Sequence, residues 1–87
     1  MGCWTDNADR TIAGGHETVT SVSACEAIAK TAGATVFSVQ DGKQCFGKST
    51  NAKNSYRLLG PSTQCGDNGL GGPWANHVYE VECGKLL

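Results

Sequence analysis

Val36-Phe-Ser-Val-Gln-Asp-Gly-Lys-Gln-Cys45 carries the signature of a β-hairpin. Val36, Phe37 and Val39 are β-branched or aromatic, the chemistry that suits a pleated, half-buried surface. Alternation places Phe37 and Val39 on one face and Val36, Ser38 and Gln40 on the other. Asp41-Gly42 is a two-residue turn that accepts positive φ, so the chain can reverse there. Cys45 falls on the return strand, twenty residues after Cys25.

Cys25 lies in the one strong helical pattern of the chain. Cys25, Ile28, Ala29 and Ala32 recur at the spacing of a single buried face. Ser23 is read as the N-cap, with Glu26 completing a capping box and Val22 and Ala27 forming the accompanying staple. Gly33 is the expected C-terminal stop. A helix crossing a hairpin and stapled to it by Cys25–Cys45 is the simplest core.

The remaining segments are read as wrapping that unit. Residues 2–6 form a first short strand, residues 7–9 a turn and residues 10–13 an extended stretch ended by Gly14-Gly15. Residues 51–59 suggest a second short helix with Ala52, Tyr56 and Leu59 on one side, stopped by Gly60-Pro61. Residues 62–72 are loop, closed by Pro73-Trp74. Residues 78–83 form a last strand with Tyr79 and Val81 inward. The expected fold is α+β: a small disulfide-stapled domain, one main helix packed on a twisted antiparallel sheet. The domain spans residues 1–83, and residues 84–87 form a C-terminal tail.

Composition narrows the function classes. Eighty-seven residues make one small domain with a limited apolar core. Twelve glycines suit a turn-rich fold, and five cysteines point to an oxidising, extracellular compartment. The net charge is −1 with no basic cluster, which argues against nucleic acid as a partner. No apolar run approaches the ~20 residues that a membrane-spanning helix needs. No signal peptide is read before Cys3, so Met1 is expected either to be an added start or to open a mature domain cut from a longer secreted precursor. Asp6 stands where a myristoylation signal would carry Ser or Thr. No Asn-x-Ser/Thr sequon is present.

The cysteines lie about twenty residues apart without a Cys-x-x-Cys pair, which argues for disulfides over zinc. With Cys25 joined to Cys45, Cys3 can close on Cys65 or on Cys83. Each loop closure stabilises by roughly 3–4.5 kcal/mol. A Cys83–His77 catalytic pair lacks an activating and an orienting group. Asp6, Asn7 and Asp9, and likewise Asp67 and Asn68, offer oxygen ligands. Neither string matches a calcium loop, and surface turns account for both. There is no nucleophile with base and orienter, no paired-carboxylate motif and no phosphate loop, so no enzyme, metal or cofactor is expected.

Gly2-Cys-Trp-Thr-Asp6 with Arg10, the helix Cys25, Val39-Gln-Asp-Gly-Lys-Gln-Cys45 and the final Tyr79 resemble the WSC domain, a small extracellular module related in shape to apple/PAN domains. Gly60-Pro-Ser and Gly71-Gly-Pro-Trp-Ala-Asn-His-Val-Tyr79 are similar to a repeat of marine-invertebrate extracellular proteins that ends in Pro-Trp-Ala-Asn-x-Val-Tyr. The resemblance covers roughly residues 2–82. It implies the pairings Cys3–Cys65 and Cys25–Cys45, leaving Cys83 odd. The chain lacks the second helix cysteine and the Cys-x-Cys of the WSC hairpin, where Phe46-Gly47 stands. WSC-like domains are regarded as carbohydrate-binding, so the resemblance implies recognition of a glycan or cell-surface polysaccharide.

Sugar recognition needs an aromatic face and planar polar groups. Trp4, Trp74, Tyr56 and Tyr79 are the aromatic candidates. A structural role outweighs binding for Trp4, beside a disulfide, and for Trp74, after a proline that can be cis. Tyr79 reads as core. Trp74 is carried as the aromatic site candidate. Gln40, Asp41 and Lys43 at the hairpin tip, and Asp67, Asn68, Asn76 and His77 around the Gly-rich loop, are the polar ones. They would converge if the last strand paired beside the hairpin, although Asp41, Asp67 and Asn68 also read as plain turn formers. His77 is expected outward and solvated, and it would make binding pH-sensitive if it touched ligand. The resulting expectation is a secreted, lectin-like, non-catalytic module. The alternative is a structural or adhesive module that contacts protein or itself, for which Cys83 offers a route to a homo-oligomer.

Overall fold

A computed structural model describes residues 2–7, 12, 15–66 and 68–81. Met1, the stretch 8–11, Ala13, Gly14, Asp67 and residues 82–87 lie outside the described residues. So do the expectations resting on them: the 7–9 turn beyond Asn7, the 10–13 strand apart from Ile12, and any bond of Cys83.

The chain forms β1 (Cys3–Thr5), β2 (Glu17–Thr18), α1 (Val22–Ala32), β3 (Val36–Gln40), β4 (Gln44–Phe46), α2 (Ala52–Ser55) and β5 (Ala75–Glu80). One antiparallel sheet runs in the order β1-β5-β3-β4-β2. The α+β architecture expected from the sequence is the one observed.

The hairpin is where turn chemistry puts it. Asp41 has φ 53° and Gly42 φ 77°, both positive as a tight reversal of this hand demands. Gln40 pairs with Gln44, so the connection has three residues rather than two, Lys43 being the third.

All of β3 is buried, because both faces of the sheet are covered. On one face Phe37, Val39 and Cys45 pack against Cys25 and Ala29 of α1. On the other, Val36, Val78 and Phe46 pack against Ile12, Ala52 and Tyr56. This second core is assembled from segments far apart in sequence. The disulfides are Cys3–Cys65 and Cys25–Cys45. The second ties α1 to β4 across the first core. The first ties β1 to the Gly-rich segment.

α1 starts two residues earlier than its capping-box pattern suggests. The hydroxyl of Ser21, not Ser23, accepts from the Ala24 N–H at 3.1 Å. The reason lies upstream. Val19 is buried, and its N–H donates to the Lys43 carbonyl at 2.8 Å, so the chain is fixed to the hairpin tip and must turn at once into the helix. Val22 becomes the first helical residue, which removes the Val22–Ala27 staple. Gly33 ends the helix at φ 79°, as expected. Ala32 is exposed rather than buried, because Ala34 takes the inward place after the turn.

The second helix is one turn long. Residues 56–59 are turns, so helical twist no longer carries Leu59 to the Ala52 and Tyr56 side, and Leu59 is exposed. β5 begins at Ala75, three residues before the expected start, because it pairs on both sides: Ala75 with Thr5 of β1, and Asn76 with Gln40 of β3. Tyr79 is part-buried and stacks on Phe37 with ring centroids 5.3 Å apart.

Candidate functional site

The register gathers one set of chain segments at one end of the sheet. Antiparallel pairing brings the end of β1, the end of β3, the start of β4 and the start of β5 together there. The hairpin tip and the Gly-rich loop are joined directly. The Asp41 N–H donates to the Gly72 carbonyl at 3.1 Å, and the Gly42 N–H donates to the Leu70 carbonyl at 2.9 Å. Across the sheet the Asp6 N–H donates to the Trp74 carbonyl at 2.9 Å.

The candidate residues separate into two groups. Asp41, Lys43, Asn68 and Trp74 are exposed at this end. The Asn68 carboxamide oxygen also accepts from the Leu70 N–H at 3.0 Å, a turn-forming role. Gln40 and Asn76 are not surface groups. They oppose each other across β3 and β5 on the face covered by the second core, and both are buried. The Ser38 hydroxyl donates to the Asn76 carboxamide oxygen at 3.1 Å, so Asn76 serves the interior. Asp67 lies outside the described residues.

His77 is not outward and solvated. Pairing with Val39 of β3 and Cys3 of β1 puts it on the α1 side of the sheet. Its ring is part-buried, and Nδ1 accepts from the Gly71 N–H at 2.9 Å. Burial lowers its pKa from the ordinary 6.5. Two positions along, the Tyr79 hydroxyl donates to the Gly69 carbonyl at 2.6 Å, and burial raises the pKa of that phenol. β5 thus grips the Gly-rich loop with two side chains.

Trp74 sits on a tight reversal. Gly72 and Ala75 exchange backbone hydrogen bonds at 3.1 Å each, leaving Pro73 and Trp74 as the two central residues. Among the described residues no peptide bond is cis, so Pro73 does not supply the turn that way. Trp74 instead has φ 52°, at a position where glycine is the usual occupant. That conformation costs an L-residue about 1–2 kcal/mol. The side chain is nevertheless 49% exposed, so full burial does not offset the strain. Trp4 behaves otherwise: it packs edge-on to buried Tyr56 at 5.4 Å, a structural contact.

Two other surface features carry apolar side chains. An open groove of about 600 Å³ is lined by Glu17, Ala27, Ile28, Thr31, Ala32 and Lys48. Its polar groups are committed, since Lys48 and Glu17 pair at 2.6 Å. It offers no aromatic platform, so it does not resemble a sugar site. Leu58 and Leu59 are exposed on the turn after α2, a feature the sequence reading missed. The signal was the adjacent pair itself, immediately before the Gly60-Pro61 stop.

No protein-family model matches the chain, and no curated protein matches it.

Proposed function

We propose that this domain is an extracellular carbohydrate-binding module of WSC-like type, holding a glycan non-covalently at the sheet end that carries Trp74. The observation that carries the reading is Trp74 itself, a large aromatic kept half exposed in a backbone conformation that disfavours it. Strain retained at a surface position points to a task the strain supports. An indole face suits the C–H side of a sugar ring, and Asp41, Lys43 and Asn68 at the same end offer hydrogen-bonding groups for hydroxyls. Gln40, Asn76 and His77 support the site from beneath rather than by touching ligand.

Two disulfides agree with an oxidising, extracellular setting. No described helix is long and apolar enough to cross a membrane. The reading requires no cofactor and no covalent step.

The experiment is a glycan array with the oxidised domain beside Trp74→Ala and Asp41→Ala variants. The expected result is selective binding to the unaltered domain, lost or weakened at least tenfold in Trp74→Ala. A blank array from a folded, fully oxidised domain overturns the reading.

The second reading is an adhesive or structural module that contacts protein or a second copy of itself. The exposed pair Leu58 and Leu59 favours it, as apolar surface that such a contact would cover. Concentration-dependent association in sedimentation, abolished by Leu58→Ser with Leu59→Ser, would support it.

A further inference from the structure

The Gly-rich loop is held to the hairpin tip through a short series of backbone contacts. Gly72 and Leu70 accept from Asp41 and Gly42. Gly71 lies between them and is buried. Its N–H has the imidazole Nδ1 of His77 as acceptor, at 2.9 Å. An Nδ1 that accepts belongs to the neutral ring protonated at Nε2. Adding a proton gives a ring with two donors and no acceptor. The Gly71 N–H would then face another N–H, with the Gly71 backbone too enclosed to turn away.

We propose that His77 is a pH-sensitive latch for this end of the sheet: neutral, it holds the Gly-rich loop on the hairpin tip through Gly71, and protonated, it releases that loop. The residue acts through Gly71 and is a positioning residue, not a ligand contact. The same loop leads into the Gly72–Ala75 reversal that presents Trp74 and carries Asn68. Acid therefore loosens the arrangement of Trp74 against Asp41. The consequence for glycan release rests on the function proposed above, whereas the latch itself does not.

Besides burial, the positive N-terminal amine acts on the His77 ring and favours its neutral form. From β3 His77 faces Val39, and from β1 it faces Cys3, which is held in a disulfide. On its own strand Tyr79 lies with ring centroids 6.2 Å away and titrates far above the acid range. The charged side chains of the hairpin tip, Asp41 and Lys43, are exposed. Among the described residues no carboxylate pairs with the imidazole. The depressed pKa agrees with a ring whose neutral form is the one bonded.

The test needs no ligand. The Gly71 amide resonance and its exchange protection are followed by NMR from about pH 7.5 to about pH 5, together with the His77 ring protons. The expected result is a Gly71 transition that coincides with His77 titration, with protection falling about tenfold. His77→Gln supplies a non-titrating ring-length acceptor and should remove the transition. His16→Gln, at the only other histidine, should leave it in place. A Gly71 amide unmoved while His77 titrates would overturn the proposal, and so would an undiminished Gly71 transition in His77→Gln. Either result is read from the loop alone, so it stays separate from a blank glycan array.

Discussion

The carbonyl oxygen of Val39 occupies the space into which a side chain on Gly71 would have to grow. A Cβ there would also lie 2.7 Å from the Ala75 carbonyl oxygen and 2.7 Å from the Gln40 Cα. All three are backbone atoms, which cannot swing aside as a side-chain tip can. The φ of 76° adds its own penalty. Overpacking costs ~1–3 kcal/mol and the left-handed backbone a further ~1–2 kcal/mol. Gly71→Ala should therefore destabilise by roughly 2–5 kcal/mol, read as a lower urea midpoint of the oxidised domain. Gly66→Ala is the control. It shares a positive φ of 73° but meets no atom within 4 Å, so it should cost only the backbone share.

Ser21 and Ser23 should separate cleanly. Ser21→Ala removes the acceptor for the Ala24 N–H and should cost about 1 kcal/mol. The Ser23 hydroxyl, exposed on the first turn, lies 3.3 Å from the Ser21 hydroxyl and caps nothing further. Ser23→Ala should change stability by less than about 0.5 kcal/mol. Thermal unfolding of the two variants under identical non-reducing conditions decides the matter.

These two cases show which parts of the fold were legible in the sequence. The hairpin was, because Asp41-Gly42 encodes its reversal locally and alternation assigns the two faces. The helix was, apart from its first turn, because the Val19 to Lys43 bond that sets its start is non-local. The placement of β5 between β1 and β3 leaves no local trace. It is nevertheless what decides the candidate site, since it brings Trp74 and the Gly-rich loop to the hairpin tip. Gln40 and Asn76 were misread for a related reason. A polar residue on a strand looks solvent-facing until one knows that Ile12, Ala52 and Tyr56 cover that side. Trp74 was legible as a candidate from its type, but its positive φ was not.

Acid should weaken the fold through His77. Burial sets its folded pKa below the ordinary 6.5, so the unfolded chain takes up a proton first as pH falls. The contribution is fully present above about pH 6.5 and is lost as pH drops toward the folded value. The urea midpoint should fall between about pH 7.5 and about pH 5, before most carboxylates titrate. His77→Gln should flatten that slope. A slope unchanged in His77→Gln would assign it to another group.

The two disulfides should not rank by loop length. Chain entropy alone favours Cys3–Cys65, with a separation of 62 residues, over Cys25–Cys45, with 20. The corresponding stabilisations are about 4 and about 3 kcal/mol. Burial reverses the order. Cys25 and Cys45 are both essentially inaccessible and sit in the middle of the α1 core, whereas Cys3 is only part-buried. Replacing the inner pair with serine adds the burial of two hydroxyls, each costing ~1–3 kcal/mol unless it finds a partner. It also unties α1 from β4, leaving the helix held to the sheet by its packing on β3. Cys25→Ser with Cys45→Ser should therefore lower the unfolding midpoint more than Cys3→Ser with Cys65→Ser. The second variant should keep near-native α1 amide protection while the segment around Cys65 loses it. Equal midpoints, or the opposite order, would mean that loop entropy outweighs core burial in this domain.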